Sequence, residues 1–93
     1  MPTYVMLTNL TAEGIKTLKN NPGRVSEVNH EVEALGARVV AQYTTLGQFD
    51  FITVIEAPSE ETMAKVPIEM GSRGTMTSQT LPALSAERLA EVL

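Results

Sequence analysis

The sequence predicts an α+β domain in which two main helices cover one face of a four-stranded antiparallel sheet. Three observations carry this. β-prone runs rich in Val, Ile, Thr and Tyr occur near residues 4–9, 38–46, 49–57 and 75–80. Stretches with apolar residues at helical spacing separate the first run from the second, and the third from the fourth. Between the second and third runs there is room only for a hairpin turn.

At 93 residues the chain makes one small domain, residues 1–93. Such a domain buries only around 60–65% of the surface of its unfolded chain. It has no cysteine, so neither a disulfide nor a thiolate metal site reinforces it. It must therefore build its own core, bind something or self-associate. Hydrophobic residues at 43% against charged residues at 19% mark a globular rather than a disordered chain. The net charge of −4 and the lack of a Lys/Arg cluster argue against nucleic acid and anionic membrane surfaces as partners. "MPTYVMLTNL" lacks the basic-then-apolar order of a secretion leader, and no apolar run is long enough to span a bilayer, so a cytoplasmic location is expected.

Tyr4–Asn9 reads as the first strand. Thr11 is placed as the N-cap of a short helix, with Glu13 in its first turn. Ile15, Leu18, Val25, Val28, Val32 and Leu35 continue a helical pattern that "NNPGR" interrupts. A short helix, a break at Pro22-Gly23 and a longer helix ending at Gly36 are expected. Arg38–Leu46 and Phe49–Ala57 are the middle strands, joined by Gly47-Gln48 as a type II′ turn with Gly47 at positive φ. Ser59 opens the second main helix, Met63, Val66 and Met70 form its buried stripe, and Pro67 should kink it or end it early. Gly71–Gly74 is a turn, and Thr75–Thr80 the last strand, stopped by Leu81-Pro82. Ser85 caps a tail helix, Ala86–Leu93. The order strand, helix, strand, strand, helix, strand is the split βαβ pattern of ferredoxin-like folds.

A turn at Gly47-Gln48 would set Thr44 opposite Phe51, Gln42 opposite Thr53 and Val40 opposite Ile55 on one face. On the other face Thr45 meets Asp50, Tyr43 meets Ile52, and Ala41 meets Val54. The second set, with Val5 and Leu7, is expected under the helices. The first set, with Tyr4, Met6, Thr75, Thr77 and Gln79, is expected on the uncovered face. It would leave Tyr4, Met6, Phe51 and Ile55 exposed, an apolar patch that calls for a second copy of the chain and a barrel-like dimer.

Gly47-Gln48-Phe49-Asp50 fits G-x-[YF]-D after a strand, Ala57-Pro58 follows the next strand, and "TSQTLPALS" lies near the end. In these features, and in "YVMLTNLTAEGIKTLK", the chain resembles the GYD-domain proteins, with Phe49 in place of the name-giving Tyr. The resemblance implies a ferredoxin-like domain assembling as a dimeric α+β barrel or a larger ring. It supplies no catalytic residues. The hairpin alone also resembles the effector domains of leucine-responsive-type regulators, which bind amino acids between subunits.

The candidate ligand-binding residues are Tyr4, Gln42, Phe51, Thr77 and Gln79, which would line the barrel. Gly47, Phe49 and Asp50 are structural residues of the hairpin, with the Asp50 carboxylate bonded to Thr45 or to the turn backbone. Glu27-x-x-His30 has metal-ligand spacing but no second such pair, and His30 lies opposite the buried stripe, so no metal and no cofactor are expected. "GSRG" offers Arg73 and backbone N–H groups to an anion, although a helix-ending turn accounts for it. The expected function is a non-catalytic small-ligand-binding or assembly domain that associates with itself. The alternative is a cofactor-free small-molecule enzyme of the dimeric-barrel type, monooxygenase- or isomerase-like, which would need a proton-transfer group in the lining.

Overall fold

A computed structural model describes the chain from Met1 to Leu93. β1 (Thr3–Leu10) leads into α1 (Ala12–Asn20), where the Thr11 side chain caps the helix by accepting from Gly14 N–H. A Cβ on Gly14 would stand 2.0 Å from the Thr75 carbonyl oxygen, so only glycine lets α1 approach the backbone at Thr75. α2 (Arg24–Ala34) starts just after Pro22-Gly23 and ends before Gly36, whose φ of 100° reverses the chain. β2 (Arg38–Thr44) and β3 (Phe51–Glu56) follow. α3 (Glu60–Gly71) is capped by Ser59 and continues through Pro67 without ending. β4 (Met76–Ala83) runs past Leu81-Pro82, and α4 (Ala86–Val92) begins after the Ser85 cap. β4 tolerates Pro82 because it lies at the sheet edge, where a missing N–H breaks fewer bonds.

The strands form one antiparallel sheet in the order β2-β3-β1-β4, which is the ferredoxin-like order. The pairs Thr44–Phe51, Gln42–Thr53, Tyr43–Ile52 and Ala41–Val54 stand in the expected register. Beyond them a bulge at Val40 shifts the ladder, so Val39 rather than Val40 meets Ile55. No helix in the chain is long and apolar enough to cross a membrane.

Two expectations are corrected. The β2–β3 connection is not a two-residue turn but a loop over Thr45–Asp50, and Gly47 is not at positive φ. Gly47 has nothing near its Cβ direction and Leu46 is fully exposed, so the loop stands away from the sheet. For β1, β2 and β3 the faces are also reversed, whereas Thr77 and Gln79 of β4 do lie on the uncovered face. Tyr4, Met6, Thr53 and Ile55 are buried, and the three apolar ones pack with Val32, Ala37, Met63, Val66 and Met70. Val5, Leu7, Ile52 and Val54 form the uncovered face with Tyr43 and Leu81. Both rows are apolar, so hydrophobicity alone does not choose between them. The covered row also carries Thr8, Gln42 and Thr53, polar residues that suggest a wet face until the partners of Gln42 and Thr53 are seen.

Candidate functional site

The inner face is not filled at the end of the sheet that carries the Thr45–Asp50 loop. A cavity of about 110 Å³ opens there between the strands, α1, α2 and the segment entering β4. Leu10, Leu18, Val25, Val28, Phe51 and Met76 give it apolar walls. One side is polar: Asn29 Nδ2 donates to Gln42 Oε1 at 2.8 Å, and Gln42 Nε2 donates to Thr53 Oγ1 at 3.0 Å. Thr8, 5% exposed, lies beside them in the lining. The three side chains form one continuous hydrogen-bonded run from α2 through β2 to β3.

The charged groups of the lining are Arg24 and Arg73 alone. Arg24 Nη1 stands 3.3 Å from Glu31 and 4.0 Å from Glu27. Arg73 Nη1 meets the other oxygen of Glu31, and Arg73 Nη2 lies 3.4 Å from Glu69. Glu31 thus ties two guanidiniums that are separated by most of the chain. The hydrogen bond from Arg73 is the main cause that holds its carboxyl below the usual 4.5, with Arg24 helping. The carboxylates themselves lie outside the lining.

Asp50 holds this end of the sheet together. Its Oδ2 accepts from Leu10 N–H at 2.8 Å, its N–H donates to the Thr8 carbonyl at 2.8 Å, and its carbonyl accepts from Thr45 N–H at 2.8 Å. Thr45 Oγ1 donates to the Phe49 carbonyl. The carboxylate therefore clasps the end of β1, not Thr45 and not the Gly47 turn. That is the physical reason an acid stands between Phe49 and Phe51.

The predicted ligand residues separate into three places. Gln42 and Phe51 line the cavity. Tyr4 lies apart, in a depression against α3 with Met63, Pro67 and Thr80, whose hydroxyl is buried without a partner. Thr77 and Gln79 pair with Asn9 and Leu7 on the uncovered face. Arg24 and Asn29 were not among the predicted residues, although Asn29 carried a signal: Val25, Val28, Asn29 and Val32 share one helical stripe, and a polar residue on a buried stripe marks a polar site. Arg73 does reach the site, through its side chain rather than through a backbone nest. His30 is exposed, and no three His, Cys, Asp or Glu side chains gather closely enough to hold a metal.

The second candidate surface is the uncovered face. Val5, Leu7, Ile52 and Val54 are half-buried only by one another and their strand neighbours, Tyr43 is 66% exposed and Leu81 39%. Leu89 and Val92 on α4, which has no buried residue, add exposed apolar surface.

The profile of the GYD domain matches residues 4–93. A protein of Thermus thermophilus called "Glutamine synthetase and cystathionine beta-lyase binding protein" is 46% identical over 85 residues, which cover 90% of each chain. Among solved structures, a dimeric ferredoxin-like protein from an uncultured marine organism aligns with 91% of this chain and 96% of its own, at 11% identity and a TM-score of 0.43. The chain belongs to the GYD-domain family.

Proposed function

We propose that this chain is a non-catalytic binding protein that pairs with itself through the uncovered face of its sheet and, so assembled, holds partner enzymes. The observation that carries the reading is the apolar row Val5, Leu7, Ile52 and Val54 with nothing over it. A water-facing sheet is normally polar on that side, and an apolar patch of this kind marks an interface. The second copy covers it with the same row, and the two sheets enclose a shared core. The cavity supports binding over catalysis, since its lining holds no carboxylate and no histidine to move a proton. The Thermus relative's name supports an enzyme-binding role, and at 46% identity the same two partner classes, a glutamine synthetase and a cystathionine beta-lyase, are the first to try.

Light scattering at micromolar concentration, wild type beside Val54→Asp, tests self-association. The wild type should run as a dimer or a multiple of one, and the variant as a folded single chain, because an unpaired carboxylate does not enter an apolar interface. A monomeric wild type overturns the pairing. Co-elution with purified glutamine synthetase and cystathionine beta-lyase from the same host tests the partner role. Failure with both enzymes removes it.

A further inference from the structure

We propose that the cavity beneath α1 and α2 binds a small monocarboxylate with an apolar body and no positive charge, of the size of a branched short-chain or arylacetic acid. This goes beyond the enzyme-binding reading and does not depend on it.

The cavity's size, walls and charge each restrict the occupant. A volume of about 110 Å³ accepts on the order of eight water-sized groups. Its walls at Leu18, Val28 and Phe51 are apolar, so the body of the ligand must be apolar too. Its charged groups are guanidiniums only, Arg24 and Arg73, with side chains 30% and 31% exposed and so partly removed from water. A planar guanidinium presents five N–H donors in a fork that matches a carboxylate. All contacts of the Arg24 side chain with glutamates use Nη1, which leaves Nε and Nη2 to a ligand.

Glu31 neutralises part of this charge from outside the lining, so the charged groups that border the cavity itself are the two guanidiniums. Glu27 and Glu69 approach the same arginines, but their side chains are 48% and 53% exposed and their fields are screened by solvent. A ligand ammonium finds no carboxylate in the lining, only the Asn29, Gln42 and threonine oxygens. A zwitterionic amino acid is therefore disfavoured against the plain acid with the same body.

The test uses the intact protein and four probes: isovalerate, isovaleramide, leucine and phenylacetate. Binding is followed by calorimetry, by the amide NMR signals of Leu18, Val28 and Phe51 and by the methyl signals of Leu18 and Val28. Isovalerate or phenylacetate should saturate in the millimolar range or tighter, with shifts at those residues. Isovaleramide, equal in shape but uncharged, should bind about tenfold or more weakly, the value of a charge-assisted pair over a neutral one. Arg24→Met should weaken isovalerate by about the same factor, and Arg24→Lys by less. The wild-type comparison of acid with amide decides the matter even if a variant fails to fold. The proposal is overturned if neither acid saturates, if the amide binds as well as the acid, if leucine binds more tightly than isovalerate, or if the shifts fall on the uncovered face.

Discussion

On the inner face of the sheet Tyr4, Met6 and Ile55 are at most 7% exposed, while on the outer face, one residue along each strand, Tyr43 is 66% exposed and Leu81 39%. The outer face has the apolar row Val5, Leu7, Ile52 and Val54, flanked by Asn9, Thr77 and Gln79. The inner face, not the outer, carries the buried polar groups Thr8 and Thr53; Gln42 donates to Thr53 and itself accepts from Asn29. Apolar character therefore does not say which side of a small sheet is the core. The helices bury whichever row they can pack against while its polar members find partners, and the other row is left for an outside surface.

The sharpest way to break this comparison is to truncate equivalent residues on the two faces. Ile55→Ala should cost about 2–5 kcal/mol at any protein concentration, because it opens a hole among Val32, Met63 and Met70. Ile52→Ala should cost far less once the protein is dilute enough to be dissociated, and its effect should grow with concentration. Equal losses in dilute denaturant melts would mean that the two faces do not differ. A smaller effect is expected at the rim of the inner face. Asp50→Ala leaves Leu10 N–H without its acceptor and should cost about 1–3 kcal/mol by the same melts, with the assembly size unchanged. A change in native mass instead would move Asp50 to the outer contact.

The Glu31 tie gives a weaker and pH-dependent effect. Its folded pKa is lowered, so its stabilisation is complete above the ordinary carboxylate range and is lost as pH falls through the folded value. Since the side chain is 37% exposed, the gain is less than about 1 kcal/mol and shrinks with salt. Glu31→Gln should melt below wild type near neutrality, and the gap should close in acid. A gap that is constant with pH would show that the charge is not what matters. The smallest effect is expected at Gly47, which serves neither face. Gly47→Val should change stability by no more than about 0.5 kcal/mol, since the residue has no positive φ and nothing near its side.

The order of elements and the β2–β3 register were legible because strand alternation, helix stripes and the Thr11, Ser59 and Ser85 caps are local signals. The choice of face was not, since it depends on hydrogen bonds between Asn29, Gln42 and Thr53 that form only once α2 is packed on the sheet. The Gly47 turn misled for a related reason. Glycine after a strand fits a tight turn, but the loop is set by Asp50 reaching β1, a contact 40 residues away. Likewise Leu81-Pro82 looked like a stop and became part of an edge strand, which the sequence could not distinguish from a loop. Of the site, Phe51, Gln42 and Arg73 were singled out, whereas Arg24 entered only as part of the helix break.

The two edge strands set how far an assembly of this chain can extend. An open edge with a free row of N–H and C=O groups invites another strand to add, and then another, without end. Here β2 is kinked by the bulge at Val40, and β4 carries Pro82, which has no N–H to offer. Sideways addition is thereby discouraged at both ends of the β2-β3-β1-β4 row. Growth by stacking is different: once two outer faces meet, each has consumed the other, and the helices on the far sides present no further sheet. The proposed pairing would be self-terminating, so mass plotted against concentration should rise to a plateau and not continue into fibres.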